Sequence, residues 1–433
     1  MITPKRPSGF NEFLPAEQMA FNAMISVIKL IYEKHGYSPI ETPAIELASI
    51  LLAKEGGETA KQVYRFTKGD NDLALRFDLT IPLARYVAEH YHELVMPFRR
   101  YQIQEVWRAE KAQAGRFRQF YQCDIDIVGS NDLMADADIL TTAHETFHAL
   151  GLNDAVLNIS HRGLLNGWLA SKKLNNQTAD ILRIIDKLDK KPEKSIIEEL
   201  TKTGLNKNNI KELLNLVKIN GKAQEVLAKL EALKIEHTDF KKAIADLKKL
   251  NQLLLASGIK AKDFIFNLKI ARGLDYYTGL VFETILTKQT NVGSICSGGR
   301  YDNLVSHYSK ENLAGVGISI GLSRLFSALK DSLANGPASP AQAVIIPLSE
   351  TTINYCFEVN STLNHGGLNV FVYPGLEKLG KQLTYVSKLK VPLAILCGED
   401  EIKKKSITIK NMQTGKQVTV KLDKASATIR KMI

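Results

Sequence analysis

Four arginines stand in settings where a surface ion pair is not the only use for them. Arg108 stands at the end of a strand-like run, Arg116 sits in the polar stretch Ala109–Phe117, Arg272 precedes Gly-Leu-Asp, and Arg324 ends the run Ser319–Arg324. A guanidinium grips phosphate or carboxylate oxygens in pairs. Several together suit a site that draws two anions into contact, such as a carboxylate and the α-phosphate of a nucleotide. Such chemistry is mostly positioning and charge neutralisation, aided by Mg2+. The chain has no Gly-x-x-x-x-Gly-Lys-Ser/Thr stretch, which excludes a P-loop as the phosphate cradle. Singly, each arginine reads as a surface ion pair; only their joint occurrence points to chemistry.

The elements that must carry these groups follow from periodicity. Phe98–Arg108 and Arg118–Val128 read as strands joined by the polar loop. Alternation in the second strand puts Phe120, Gln122, Asp124 and Asp126 on one face and Tyr121, Cys123, Ile125 and Ile127 on the other. The apolar face is core and the polar face suggests a ligand floor, with Asp124 expected in a structural ion pair with an arginine. Glu17–Lys34 has helical spacing and stops at His35-Gly36, and the two prolines of the following Tyr37–Ala44 restrict it to an edge. From about Leu164 to Lys262 the chain turns Lys/Glu-rich and helical. Strand character returns at Ile265–Ile270 and Leu280–Leu286, followed by Gly298-Gly299-Arg300-Tyr301-Asp302 and an expected apolar helix over Ser319–Leu329. Gly298-Gly299 alone marks a turn, and Tyr276 and Tyr277 alone read as sheet aromatics.

Ala334–Pro340 is a linker by composition. After it, Ala343–Pro347, Asn369–Tyr373 and Pro392–Cys397 are short apolar strands between helical stretches, and Ser406–Lys410 with Gln417–Lys421 make a hairpin about Gly415. The expected organisation is therefore 1–163, a helical insertion at 164–262, a return to the main domain at 263–333, and an α/β domain at 341–433.

The 433 residues are 45% hydrophobic and 24% charged, a globular composition of several domains, and a net charge of +11 fits either a polyanionic partner or a merely basic surface. The run Lys403–Lys405 has the same two readings, a phosphate contact or a solvated face. Four scattered cysteines without a Cys-x-x-Cys pair argue against a disulfide scaffold or zinc site. His144 and His148 lie four apart in a helical stretch, but no third ligand stands near them in sequence, so ordinary helix residues are expected. With no leader-like start and no long apolar run, a cytosolic chain is expected.

The stretch Phe98–Gly129, FRRYQIQEVWRAE followed by the loop and GRFRQFYQCDIDIVG, resembles the second signature motif of class II aminoacyl-tRNA synthetases, and within them the histidyl-tRNA synthetase family. LRFDLTIPLARY at Leu75–Tyr86, ARGLDYYTGLVFE at Ala271–Glu283, GGRYDNL at Gly298–Leu304 and GVGISIGLSRL at Gly315–Leu325 resemble the same family, and Tyr37–Glu46 resembles the first class motif. The resemblance implies an α+β class II catalytic domain (an antiparallel sheet flanked by helices) with a helical insertion and a C-terminal α/β anticodon-binding domain. It implies a cytoplasmic homodimer that uses ATP with Mg2+, L-histidine and tRNA(His). Residue by residue, Arg108 would meet the α-phosphate and the substrate carboxylate, with Arg272 as a second cation. Glu110 would read the adenine amino group, Phe120 would stack on the ring, and Arg116 and Arg324 would hold the γ-phosphate. Asp78 and Thr80, with Leu79 between them, would hold the α-amino group, oriented by Gln122. Asp126, Tyr277 and Tyr301 would surround the imidazole, with Tyr276 nearby. Lys111, Gln113 and Arg116 would lie near the tRNA acceptor end. Some relatives read Arg-Pro-Glu-Gly-Thr where this chain reads Arg76-Phe-Asp-Leu-Thr80, which keeps the carboxylate but shortens it. Two rivals share these motifs in part: a regulatory paralogue that has lost charging, and a non-catalytic sensor of uncharged tRNA.

Overall fold

The computed structural model describes residues 2–53, 60–111, 115–188, 191–270, 277–303, 305–333 and 336–433. From the N-terminus come helix α1 (Pro15–Lys34), strands β1 (Ser38–Pro39) and β2 (Ile45–Leu47), helix α2 (Ala48–Leu51), and strands β3 (Arg65–Lys68) and β4 (Asn71–Leu75). Helix α3 (Thr80–Glu89), strands β5 (Phe98–Trp107) and β6 (Gln119–Val128), helix α4 (Leu133–Ala149) and strand β7 (Ala155–His161) follow. The next stretch holds α5 (Arg162–Ser171), α6 (Thr178–Ile185), α7 (Glu193–Lys202), α8 (Lys207–Val217), β8 (Asn220–Gly221), α9 (Ala223–Ala232) and α10 (Thr238–Ala256). Strands β9 (Phe264–Asn267), β10 (Leu280–Leu286), β11 (Ser294–Tyr301) and β12 (Gly315–Gly321) precede helix α11 (Leu322–Leu333). The chain divides into two compact units: Met24–Ala328 with the residues up to Asn11, and Leu329–Ile433 with Glu12–Ala23.

In the first unit nine strands pair in the order β1-β5-β6-β12-β11-β10-β7-β9-β8. Neighbours run antiparallel except β1 with β5 and β7 with β9, which are parallel. The proline-bearing segment forms β1 at the sheet edge, where a residue without an N–H loses no ladder bond. Helix α1 stops at Gly36, whose φ of +75° is a conformation glycine enters without strain.

Register decides what each face presents. Arg100, Gln102 and Gln104 of β5 pair with Asp126, Asp124 and Gln122 of β6, which pair in turn with Gly317, Ser319 and Gly321 of β12. Gly299 and Ser297 of β11 continue the same rows. Directly paired residues share a face, so the polar column on β6 belongs to a polar patch four strands wide. On the other face Cys123, Ile125 and Ile127 pair with Ile320, Ile318 and Val316 and are buried. Helix α4 packs on β6, β7 and β12, burying Ile139, Leu140, Ala143 and Phe147.

The expected helix at Ser319–Leu329 is in part a strand. Gly315-Val-Gly-Ile-Ser-Ile-Gly alternates small or polar residues with branched ones at period two and forms β12, and the helix begins only at Leu322. Likewise β9 covers Phe264–Asn267 rather than Ile265–Ile270.

Helices α5–α10 occupy the Lys/Glu-rich stretch and bury Phe240, Leu247, Leu250 and Leu254. Helix α5 meets α10 at Gly167, where a β-carbon would lie 2.5 Å from the Phe240 backbone nitrogen. Among the described residues no helix is long and apolar enough to cross a membrane.

The second unit holds β13 (Ala343–Pro347), α12 (Ile353–His365), β14 (Val370–Val372), α13 (Leu379–Lys388), β15 (Leu393–Cys397), α14 (Glu399–Lys404), β16 (Ser406–Asn411), β17 (Gln417–Lys421) and α15 (Leu422–Met432). Its sheet runs β14-β13-β15-β16-β17, parallel through the first three and antiparallel thereafter. Strand β13 is buried along its whole length: Ala343 and Ile345 pack with α12 and α15 residues, Val344 and Ile346 with those of α13.

Gly167 and Gly380 predict opposite outcomes for one substitution. Gly167→Ala should destabilise the first unit by about 1–3 kcal/mol through overpacking against α10. Gly380→Ala, in helix α13 with nothing within 4 Å, should gain up to about 1 kcal/mol. Denaturant midpoints of the two variants check both.

Candidate active site

A cleft of about 350 Å3 opens beside the polar patch. Arg108, Glu110, Arg116, Phe120, Gln122 and Arg324 line it, together with Tyr277, Glu283, Ser297, Gly298 and Ser319. Arg108 follows the last residue of β5, and its Nε donates to the Phe77 carbonyl at 3.2 Å. Its guanidinium lies 4.3 Å from the Phe77 ring centroid and 5.2 Å from that of Phe120, so two aromatic faces fix a cation at the cleft wall. Arg324, in the first turn of α11, donates from Nε to Gly115 O at 3.3 Å and from Nη1 to Ser294 O at 3.0 Å. Arg116 is half exposed, with Nη1 3.9 Å from Glu110 Oε2. Three of the four arginines singled out in the sequence therefore meet in one cleft, and Arg272 lies outside the described residues, as do Tyr276 and Gln113. Lys111 is exposed.

Next to the cleft the sheet buries a set of carboxylates. Tyr301 donates its hydroxyl to Asp126 Oδ1 at 2.7 Å, and Asp126 Oδ2 lies 2.6 Å from Nη2 of Arg100, whose side chain is 0% exposed. Space for this group comes from missing side chains. A β-carbon on Gly317 would sit 2.0 Å from Asp126 Oδ1, and one on Gly315 would sit 2.3 Å from the Tyr301 ring. A β-carbon on Gly299 would lie 2.9 Å from the ring of Tyr277, which lines the cleft and packs in the same cluster as Tyr301. Gln122 donates from Nε2 to Ser319 Oγ.

Asp78 is buried at the start of α3, where its Oδ1 accepts from the Ile81 N–H at 3.0 Å and so caps the helix. Leu79 is fully buried beside it, and Thr80 opens the helix. The shortened carboxylate of Arg76–Thr80 is thus committed in part to its own helix. Arg76 is structural: Nη1 donates to Thr42 O at 2.6 Å and to Gln104 Oε1 at 2.7 Å. Gln102 extends that network, donating to Thr42 Oγ1 at 2.9 Å. Arg300 ion-pairs with Asp136 at the start of α4 and faces no ligand site.

Burial raises the proton affinity of Asp78, Asp124 and Asp126 together, against the pull of Arg100, which acts on all three. Asp124 is pushed up to about 7, by burial first and by neighbouring Asp126 and Asp78 further, with Arg100 and the Ser319 hydroxyl pulling it down. The expected arginine partner of Asp124 is taken by Asp126: Arg100 sits opposite Asp126 in register and closes on it. Three buried carboxylates around one buried cation form an acceptor for a cationic or N–H-bearing group, joined to an arginine-walled cleft suited to phosphates.

Arg100 and the glycines of β12 went unremarked in the sequence, although both had a signal. Arg100 shares the parity of Gln102 and Gln104 on β5, and Gly-Val-Gly repeats at period two. The fold also brings Asp263, remote in sequence, within 4.8 Å of ring nitrogens of His144 and His148.

A family model described as histidyl-tRNA synthetase matches residues 9–325, and one described as an anticodon binding domain matches residues 342–432. The histidine–tRNA ligase of Clostridium tetani is 44% identical over 435 residues, covering 99% of both chains. That of Stenotrophomonas maltophilia is 41% identical over 455 residues, covering 99% of this chain and 98% of its own. The crystal structure of histidyl-tRNA synthetase from Nostoc sp. PCC 7120 superposes with a TM-score of 0.90 at 36% identity, covering 100% of both chains.

The raised Asp124 carboxyl gives a pH dependence with a definite sign. Between about pH 4 and pH 7 the folded protein keeps a proton that the unfolded chain has released, so stability falls as pH rises through that window and levels off above it. Asp124→Asn should remove this slope. Its unfolding temperature relative to the parent should rise from pH 5 to pH 8, and thermal melts at the two pH values measure the difference; a flat or falling difference contradicts the assignment.

Proposed function

The chain belongs to the histidyl-tRNA synthetase family, and from that premise we propose that its cleft joins L-histidine to ATP as histidyl-adenylate and then transfers the histidyl group to the 3′ end of tRNA(His). The observation that carries this reading is the junction of an arginine-walled cleft with a carboxylate slot held open by glycine. In the first step the histidine carboxylate attacks the α-phosphorus, and the bond to the departing pyrophosphate breaks. In the second, a terminal ribose hydroxyl of the tRNA attacks the acyl carbon and AMP leaves. Both proceed by alignment and charge neutralisation, and the cleft needs no dedicated proton shuttle for the first.

On this reading Arg108, braced between Phe77 and Phe120, meets the α-phosphate and the histidine carboxylate, with Arg272 as a second cation there. Arg116 and Arg324 take the γ-phosphate end, Phe120 stacks on adenine, and Glu110 accepts from its amino group. Glu283 in the cleft wall is an oxygen donor of the kind Mg2+ prefers, and the ion would neutralise phosphate charge when bound. The α-amino group goes to Asp78 and Thr80, about Leu79, with Gln122 orienting it. Asp126 reads the imidazole N–H, with Tyr277, Tyr301 and Tyr276 around the ring. Arg100 and Tyr301 hold Asp126 in place, one on each carboxylate oxygen, and a carboxylate so held retains acceptor capacity for an imidazole N–H. An apolar side chain in that slot would leave a buried carboxylate short of a partner, which is the basis of selectivity.

The domains at 1–163 and 263–333 would form the catalytic body, 164–262 its helical insertion, and 341–433 the anticodon-binding domain. Lys111, Gln113 and Arg116 would lie near the acceptor end of the tRNA, drawn to a chain of net charge +11. A cytoplasmic homodimer completes the reading.

Histidine-dependent ATP–pyrophosphate exchange tests it and separates it from a regulatory paralogue or a tRNA sensor, neither of which exchanges. Asp126→Asn should lower kcat/KM for histidine by roughly 5–150-fold, the effect of about 1–3 kcal/mol of lost partner energy, with KM for ATP little changed. Arg272→His should abolish exchange while ATP still binds by equilibrium dialysis; near-normal exchange would remove Arg272 from the mechanism.

A further inference from the structure

Away from the cleft, on the α4 side of the sheet, three metal-binding side chains meet that the proposed reaction does not use. His144 and His148 stand one turn apart near the end of α4, with ring centroids 4.4 Å apart and planes inclined by 50°. Helical spacing of four puts both rings on one face. Asp263 arrives from the turn between α10 and β9, and its Oδ2 lies 3.5 Å from His144 Nε2. One ring nitrogen of each histidine and one oxygen of Asp263 all fall within 4.8 Å of one another.

Distances and burial distinguish this cluster from a plain ion pair. Asp263 is fixed by its backbone, whose N–H donates to Lys260 O at 2.8 Å and whose carbonyl accepts from Leu157 N at 3.0 Å. Its carboxylate is nearly buried, at 10% exposure, and could close a normal hydrogen bond of about 2.8 Å to His144. Instead the two stand apart, and His144 Nε2 is buried without a hydrogen-bond partner among the described residues. Ligands on a tetrahedral ion with bonds of about 2.0–2.2 Å are roughly 3.3–3.6 Å from one another, which is the His144–Asp263 separation. His148 is the exposed member, and a change of rotamer can bring its ring nitrogen to the same spacing.

We propose that His144, His148 and Asp263 form a binding site for a divalent transition metal, specifically Zn2+, with a fourth position open to water. Two imidazoles and one carboxylate suit a borderline ion such as Zn2+ and not Mg2+ or Ca2+, which take oxygen donors. Its role is structural. The ion ties the end of α4, the helix that backs β6, β7 and β12, to the segment by which the chain leaves α10 and rejoins the sheet at β9.

The full-length protein, stripped with chelator and free of substrates, should bind one equivalent of Zn2+ in calorimetric titration and melt at a higher temperature with it, and millimolar Mg2+ should not compete. His148→Ala alters an exposed side chain and leaves the fold undisturbed. It should weaken that equivalent by at least about tenfold and abolish the rise in melting temperature. Asp263→Asn, checked first for folding by its melt without metal, should do the same. Co2+ in place of Zn2+ should give visible absorption in the parent chain that His148→Ala loses. Absence of a stoichiometric site in the parent, or binding that survives His148→Ala unchanged, would overturn the proposal.

Discussion

A carboxylate on a buried sheet floor is tolerable only if a positive charge shares its burial, and Arg100 supplies that charge for Asp126 at 2.6 Å. The pairing is fixed by register, since Arg100 and Asp126 are direct cross-strand partners on β5 and β6. The same arginine also pulls against burial at Asp78 and Asp124, so one fully buried guanidinium acts on all three acids. Shifting either strand by one residue would turn the whole set to the opposite face and leave the charges in the apolar core. The slot, its proposed selectivity and its junction with the arginine-walled cleft all presuppose this one contact.

The arginines of the cleft come from a strand end, a loop and a first helical turn, with more than two hundred residues of chain between Arg108 and Arg324. Aromatic faces flank Arg108, backbone carbonyls accept from Arg324, and Arg116 lies 3.9 Å from the Glu110 carboxylate. Arg300, by contrast, spends its charge on an ion pair with Asp136 on the other face of the sheet.

Much of this was legible in the sequence where side-chain type and period coincide. The two strands of the hairpin, the polar face of β6, the helical stretch after residue 164 and the strand alternation after residue 341 were all readable from periodicity, because burial on one face imposes it. Where glycine carries the information, periodicity is faint. The end of the run Gly315–Gly321 fell inside the helix expected over Ser319–Leu329, and its start was assigned no strand, since a strand whose inward positions are empty shows no polar or apolar signature on that side. Arg100 was missed for a related reason: a charged residue in a strand reads as solvent-facing until its buried partner is known. The Asp263 ligand was beyond any local reading, lying over a hundred residues from His144 and brought to it only by the return of α10 to the sheet.

Because Gly315 and Gly317 leave bare backbone opposite Tyr301 and Asp126, the wall on that side of the slot is the peptide chain itself. Strand spacing of roughly 4.8 Å, and not any rotamer, sets its clearance. A side-chain wall can yield by swinging aside; a ladder of amide hydrogen bonds cannot. The recess is therefore a rigid gauge, and a ligand slightly too wide meets the stiffness of the sheet as a whole.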